Sequence, residues 1–358
     1  MTHEIESMFS VIETPWHGLG NIILSAPTIE EAMQLSGASW TARLEKMYID
    51  VVARDIAGQI LPGVFNKMEV PDTFAVVRDD SNKVISTVGN RYEIYQNPVM
   101  WEFIKNFQLA SGIVLETAGV LRQGKIVWVL AKKGSIEAVN GDIVEEYFLF
   151  RNSFDGSSPI TILFTNIRVV CANTLTMAIK GASNMFHVRH TASASDQLKE
   201  VEKALGIRHK YQEKVNEIIA SLVKTAVTVA EIDNILENVI FPEKDKKAKV
   251  VQVVGAGNNV VSLADFKDKE NTRAATIRTN RIQAVKELVE TGKGTDIAGV
   301  KGSLWGVYNA LTEWSDWDKT VKTTGGRDLS ESKFESAFFG SGSQFKADAL
   351  NSLLRLAA

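Results

Sequence analysis

The chain has 358 residues, 45% of them apolar and 23% charged, enough to bury one large core or two ordinary ones. A formal net charge of −3 excludes an overall basic field, so any affinity for nucleic acid has to come from basic residues sorted onto one face. Cys171, the single cysteine, excludes an intramolecular disulfide framework and a multi-cysteine metal site.

In chain order, residues 1–27 read as irregular, with Pro15 and Pro27 bracketing the turn Trp16-His17-Gly18-Leu19-Gly20. The first residues lack the basic and apolar regions of a signal peptide, and no run reaches the roughly 18 apolar residues of a spanning helix. Both features point to the cytoplasm and away from membranes. Thr28 is a helix N-cap with Glu31 at the capping-box position, which predicts a helix over 28–35. Alternating stretches at 41–52, 74–78 and 84–89 predict strands, the last two joined across Asp79–Asn82. Asn97-Pro98 opens a helix with Trp101, Ile104 and Phe107 on its apolar stripe.

Strands are predicted at 114–121, 125–132, 143–150 and 160–171. They are separated by Gly124, Asn140-Gly141 and Asp155-Gly156, the last two being strong hairpin signals. Phe154 falls at the tip of the final hairpin, where an exposed ring could stack a base or serve an oligomer contact. Asn173-Thr174 offers cap chemistry for a helix through Lys180. Consecutive strands between helices make the fold class α+β, with an antiparallel sheet and flanking helices.

From Ser195 the pattern becomes helical. One long helix over 195–225 carries Leu198, Val201, Leu205, Val215, Ile219 and Leu222 on a stripe that Arg208 and Gln212 interrupt. That stripe exceeds what one sheet face needs, which argues for a homo-oligomer, a ring being one form. Further helices are predicted at 228–239, 272–291, 303–317 and 345–356, with Trp305, Trp314 and Trp317 as core residues. The division expected is 1–191 for the α+β core and 192–358 for a helical region packing on or extending it.

The search for catalytic chemistry returns little. Val253-Val-Gly-Ala-Gly-Asn-Asn-Val260 lacks the third glycine of a dinucleotide fingerprint, and Gly292-Lys-Gly-Thr295 lacks the first glycine of a P-loop. His187 and His190 have no local carboxylates to complete a metal site. Glu145 and Glu146 are adjacent on a strand, so they point to opposite faces, and a solvated edge is the expected setting. Cys171 paired with a histidine would be a nucleophile, but a buried small residue after Val169-Val170 accounts for it as well. His17 could act as a base or satisfy local backbone.

The basic residues are more suggestive. Arg151, Arg168, Lys180, Arg189, His190 and Arg208 fall in or after the hairpin corner, and Arg273, Arg278 and Arg281 form a cationic stripe on a later helix. Arginine concentrated near a sheet edge suits bidentate phosphate contacts.

Five ordered segments carry a family resemblance: Trp16–Gly20, Asn152–Ser157, Arg168–Leu175, Arg189–Thr191 and Leu304–Ala310. They resemble a phage/plasmid-like, laterally transferred and prophage-associated family carrying a domain of unknown function. The resemblance spans nearly the whole chain and implies a mobile-element protein in a bacterial cytoplasm, without supplying an activity. The succession of helix, strands and helix is also similar in pattern to the single-strand annealing proteins of phage recombination, the Red-beta and Erf type, although no motif of theirs is matched residue by residue. That similarity implies ring or filament formation and a basic groove for single-stranded DNA. The expected function is therefore non-enzymatic binding of nucleic acid, single-stranded DNA before RNA, in phage recombination. Arg151, Arg168, Lys180, Arg189, His190, Arg208, Arg278 and Arg281 would form the contacts, with no cofactor or metal. The alternatives are a phage protein that modulates a host factor and an enzyme using Cys171 or His17.

Overall fold

The computed structural model describes residues 5–11, 20–168, 173–175, 185–205, 209–242, 263–321, 323 and 329–357. Its strands are β1 (Ile5–Val11), β2 (Asn21–Ile23), β3 (Ala42–Arg54), β4 (Ile60–Arg78), β5 (Val84–Gly89) and β6 (Val114–Leu121). They continue as β7 (Ile126–Val139), β8 (Asp142–Ser153), β9 (Ile160–Arg168), β10 (Asn173–Leu175) and β11 (Met185–Val188). The fold is α+β, with strands concentrated before residue 189 and helices after it. The larger sheet has the order β10-β9-β8-β7-β6-β1-β2, with β11 also on β9, and β3-β4-β5 form a separate antiparallel sheet. β1 and β2 run parallel, whereas β1 with β6 and β6 with β7 are antiparallel.

Two compact units are present, and neither is one continuous stretch. The first holds residues 1–134, 146–164 and 183–209, and the second holds 135–145, 165–182 and 210–358. A single cut after residue 191 does not reproduce this division. The reason lies in the β7–β8 hairpin: Val144 at its tip is fully buried in the second core, with Val215, Trp305 and Tyr308.

In the first unit, Thr28 caps helix α1 (Ile29–Leu35). Its hydroxyl accepts from the Glu31 N–H at 3.2 Å, and the Glu31 carboxylate accepts from the Thr28 N–H at 2.8 Å. Helix α2 (Asn97–Ser111) has proline in its first turn and ends on Gly112, whose φ of 70° is the left-handed conformation that closes helices. Between these ends it buries Trp101, Ile104 and Phe107 against the sheet, with the Phe107 ring tilted against that of Phe148 at 4.6 Å between centres. Aromatic side chains supply much of this core because each removes a large apolar area from water.

The β3–β4 ribbon is longer than the sequence suggests, since β4 pairs with β3 from Ile60 to Glu69, beyond the reach of β5. Their weak alternation conceals them: Pro62, Gly63, Pro71 and Asp72 interrupt it.

Of the helix expected over 195–225, the described parts are α3 (Ala194–Leu205), in the first unit, and α4 (His209–Lys224), most of it in the second; residues 206–208 lie outside the described residues. Leu198 joins the first core and Val215, Ile219 and Leu222 join the second, so the stripe serves two cores and the argument for an oligomer from one over-long helix falls. Asn173 does not open a helix either: β10 pairs with β9 through Asn173↔Arg168, Thr174↔Ile167 and Leu175↔Asn166.

The second unit is built from α4, α5 (Val229–Ile240), α6 (Leu263–Thr291), α7 (Leu304–Glu313), α8 (Leu329–Phe338) and α9 (Ser341–Ala357). Every residue of α7 is buried, and a π-helical turn, Trp314–Asp318, continues it. Trp305 and Trp314 are core, as their spacing predicts, and the Trp305 indole donates to Asp142 at 2.8 Å. Gly306 lets α7 approach the preceding loop closely. A Cβ there would lie 2.4 Å from the Val300 carbonyl oxygen, inside any tolerable contact. Gly306→Ala is expected to destabilise the protein by about 1–3 kcal/mol through overpacking. Urea unfolding checks this, and an unchanged midpoint would contradict it.

Candidate functional site

The Asp155-Gly156 turn forms as its dipeptide predicts, with Gly156 at φ +67°. The Asp155 carboxylate accepts from the Ser157 N–H at 3.0 Å and the Ser153 hydroxyl at 2.9 Å. Burial by itself raises the Asp155 carboxyl, but these bonds from Ser157 and Ser153, helped by the Arg122 charge, outweigh it and hold the group below its ordinary value. Phe154 is fully buried, 4.7 Å from Trp40, rather than exposed at a hairpin tip. Turning its ring inward covers apolar area that an open turn would leave in water.

Tertiary folding brings a second segment to this turn. The His190 ring stacks on Tyr92 at 4.8 Å with 21° between planes, and the Tyr92 hydroxyl donates to the Ser153 carbonyl at 2.6 Å. His190 is only 8% exposed, and neither ring nitrogen has a hydrogen-bond partner of ordinary geometry. Burial pushes its pKa down to about 4, against the opposing pull of the Glu93 backbone and Asp155. Burial and the Asp155 charge also push the Tyr92 hydroxyl up. At neutral pH the cluster therefore holds a carboxylate, a phenol and an uncharged imidazole.

Two of the expected phosphate contacts are buried. His190 is buried and neutral, so it carries no charge to a surface ligand. Arg151 is 6% exposed and lies within the first unit, so its guanidinium does not line an open groove. Arg189 is exposed. Arg168 is a strand residue paired with Asn173, but its side chain, with that of Arg273, lies outside the described residues. His17, Cys171, Lys180 and Arg208 lie outside them altogether, as does the segment 253–260. Glu146 is buried, not solvated as expected, because β8 faces a core on that side.

The remaining predicted cations meet in the second unit. Arg278 is ion-paired with Glu237, and its guanidinium lies 5.3 Å from the centre of the Phe241 ring. The exposed Arg281 lies 6.0 Å from the same half-buried ring. Lys319 follows the π-helical turn, with its ammonium 5.7 Å from the Trp314 ring and 5.2 Å from the Phe345 ring. Burial lowers its pKa, and the charges of Arg281 and Lys346 lower it further. Lys346 is fully buried and bonded to Asp316 at 2.7 Å. Burial lowers the Lys346 pKa, while the Asp316 carboxylate works against that.

Sequence reasoning missed Lys319, Phe241 and the Asp316–Lys346 pair. Thirty positions separate the last two, and no local pattern joins them. The π-helical turn, a geometry frequent at functional sites, leaves no mark in the hydrophobic period either. Among the described residues, no three of histidine, cysteine, aspartate and glutamate stand close enough to hold a metal ion, and no helix is long and apolar enough to cross a membrane.

Neither a curated protein nor a solved structure matches the chain. A family model covers most of it, from the start of β5 to the end of α8, and so includes the Asp155 turn, His190, α6 and the π-helical turn. With residues 84–338 matched, the chain belongs to the family described as Domain of unknown function (DUF932).

Proposed function

We propose that this protein binds nucleic acid without catalysing a reaction, with single-stranded DNA as the ligand and phage recombination as the setting. The observation that carries the reading is the pairing of Arg278 and Arg281 over the half-buried Phe241 ring. Backbone phosphates need cations that are always charged, and bases need an aromatic face. Such a patch offers both with little sequence preference. Arg281 is the phosphate contact, Arg278 is held in place by Glu237, and Arg189 adds a cation on the first unit. Arg168, Lys180 and Arg208 remain in the proposed set on their sequence position.

Fluorescence anisotropy with a labelled oligonucleotide tests this. Log affinity should fall linearly with log salt, and Arg281→Ala should make that slope shallower by about one contact. Phe241→Ala should cost ~1–3 kcal/mol if the ring stacks a base. A folded protein that binds neither DNA nor RNA at low salt overturns the reading.

A second reading, attachment to a host protein or to another copy of the chain, draws on the β3–β4 ribbon. Beyond the reach of β5, Tyr48, Ile49, Val52, Phe65 and Met68 are all exposed, with Tyr48 at 53% and Phe65 at 58%. A two-stranded ribbon is marginal alone, and it carries exposed apolar pairs on both faces, Val52 opposite Phe65 and Ile49 opposite Met68, a surface that a partner could cover.

A further inference from the structure

The second unit contains a cavity of about 410 Å³ between the end of the π-helical turn, α8 and the start of α9. Lys319, Ser332, Glu335, Ser336, Phe339 and Ser341 are among its lining residues. We propose that it binds a small phosphate monoester, with the phosphate held by Lys319, the Ser332 hydroxyl and the N-terminus of α9.

Three independent features support an anion there. Lys319 has no carboxylate within ion-pair distance among the described residues, although Arg281 and Lys346 crowd it with positive charge. An anion beside Lys319 would relieve that repulsion. Ser332 lines the cavity and is only 5% exposed, and its hydroxyl has no hydrogen-bond partner. Buried hydroxyls are ordinarily satisfied, so an unpartnered one beside a cavity points to a ligand acceptor. The 17-residue helix α9 begins at the cavity wall, and its positive dipole end favours an anion.

The rest of the lining makes an ester fit better than bare phosphate. Glu335 places a carboxylate in the wall, which would repel a second anionic group but accept a hydrogen bond from a ligand hydroxyl or amine. Phe339 supplies an apolar face. The volume falls within the range of small-molecule sites. A nucleoside monophosphate uses all of these features at once: phosphate on Lys319, sugar or base donor on Glu335, and base against Phe339.

This inference is independent of the DNA reading, and its test separates the two. Isothermal titration and thermal shift would be run on the full chain with inorganic phosphate, a nucleoside monophosphate and a single-stranded oligonucleotide. The monophosphate is expected to bind and to raise the melting temperature more than inorganic phosphate does. Lys319→Met, which keeps the stem over Trp314 and Phe345, should weaken that binding on the order of tenfold or more. Ser332→Ala removes only a hydroxyl and should weaken it by several-fold. The proposal fails if the monophosphate does not bind, if inorganic phosphate alone binds, or if both variants bind as tightly as the wild type. Binding confined to the oligonucleotide would overturn the proposal and leave the DNA reading standing. Monophosphate binding without oligonucleotide binding would do the reverse.

Discussion

Asp316→Ala is expected to destabilise the protein by about 3–5 kcal/mol at neutral pH, because it strands the ammonium of Lys346 in the second core. The pair is 2.7 Å apart, with the Lys346 side chain fully buried and that of Asp316 8% exposed. The lysine can escape the penalty by releasing its proton, which sets a ceiling. Deprotonating a group of ordinary pKa near 10.4 at pH 7 costs about 5 kcal/mol. The sign of the pH dependence follows. Without Asp316, the native pKa of Lys346 lies far below its unfolded value, so the deficit shrinks as pH rises toward 10 and the unfolded state loses its proton too. Urea unfolding at pH 7 and pH 9.5 measures both effects. The double variant Asp316→Leu with Lys346→Met should recover most of the loss, since a well-packed apolar pair replaces a buried ion pair at little cost. A single variant as stable as the wild type at pH 7 would show that the pair is not enclosed.

The second large effect belongs to His190. Its native pKa of about 4 lies below the unfolded value of roughly 6.5, so it contributes stability that is fully present above the unfolded value. As pH falls below about 6.5 the unfolded chain takes up a proton that the native ring refuses, and stability declines until the native ring also titrates near 4. The loss across that window is about 3 kcal/mol. His190→Phe keeps a ring against Tyr92 and removes the titration. Between pH 7 and pH 4 the wild type should therefore lose about that much more stability than the variant. Parallel stability curves would place the imidazole in contact with water or with a proton acceptor. The same measurement bears on the proposed function, because a neutral His190 would add nothing to the salt dependence of the proposed DNA binding.

Helix caps, turns and apolar stripes were legible in the sequence because their causes are local. The Thr28–Glu31 box needs only two side chains three positions apart, and the Asp155-Gly156 turn needs only a residue that tolerates positive φ. Trp101, Ile104 and Phe107 reveal their burial through the helical period alone. That the chain carries a domain of unknown function was legible for a related reason: ordered motifs can be read in the chain whatever their spatial role.

Tertiary structure alone decided what those motifs surround. The Asp155 turn and His190 lie 35 positions apart in the chain, and their meeting at Tyr92 follows from the placement of β11 beside β9 and of the segment after it. Charge in the sequence does not say whether an arginine is exposed, paired or buried. Arg281, Arg278 and Arg151 are one of each, and burial and partner decide which can reach a phosphate. The Asp316–Lys346 pair and the cavity beside Lys319 depend on how α7, its π-helical continuation, α8 and α9 pack together. The sequence by itself determined the elements, because short-range sterics and periodicity write them. Only the packing of those elements decided the sites, because desolvation and charge proximity act between residues that sequence order does not connect.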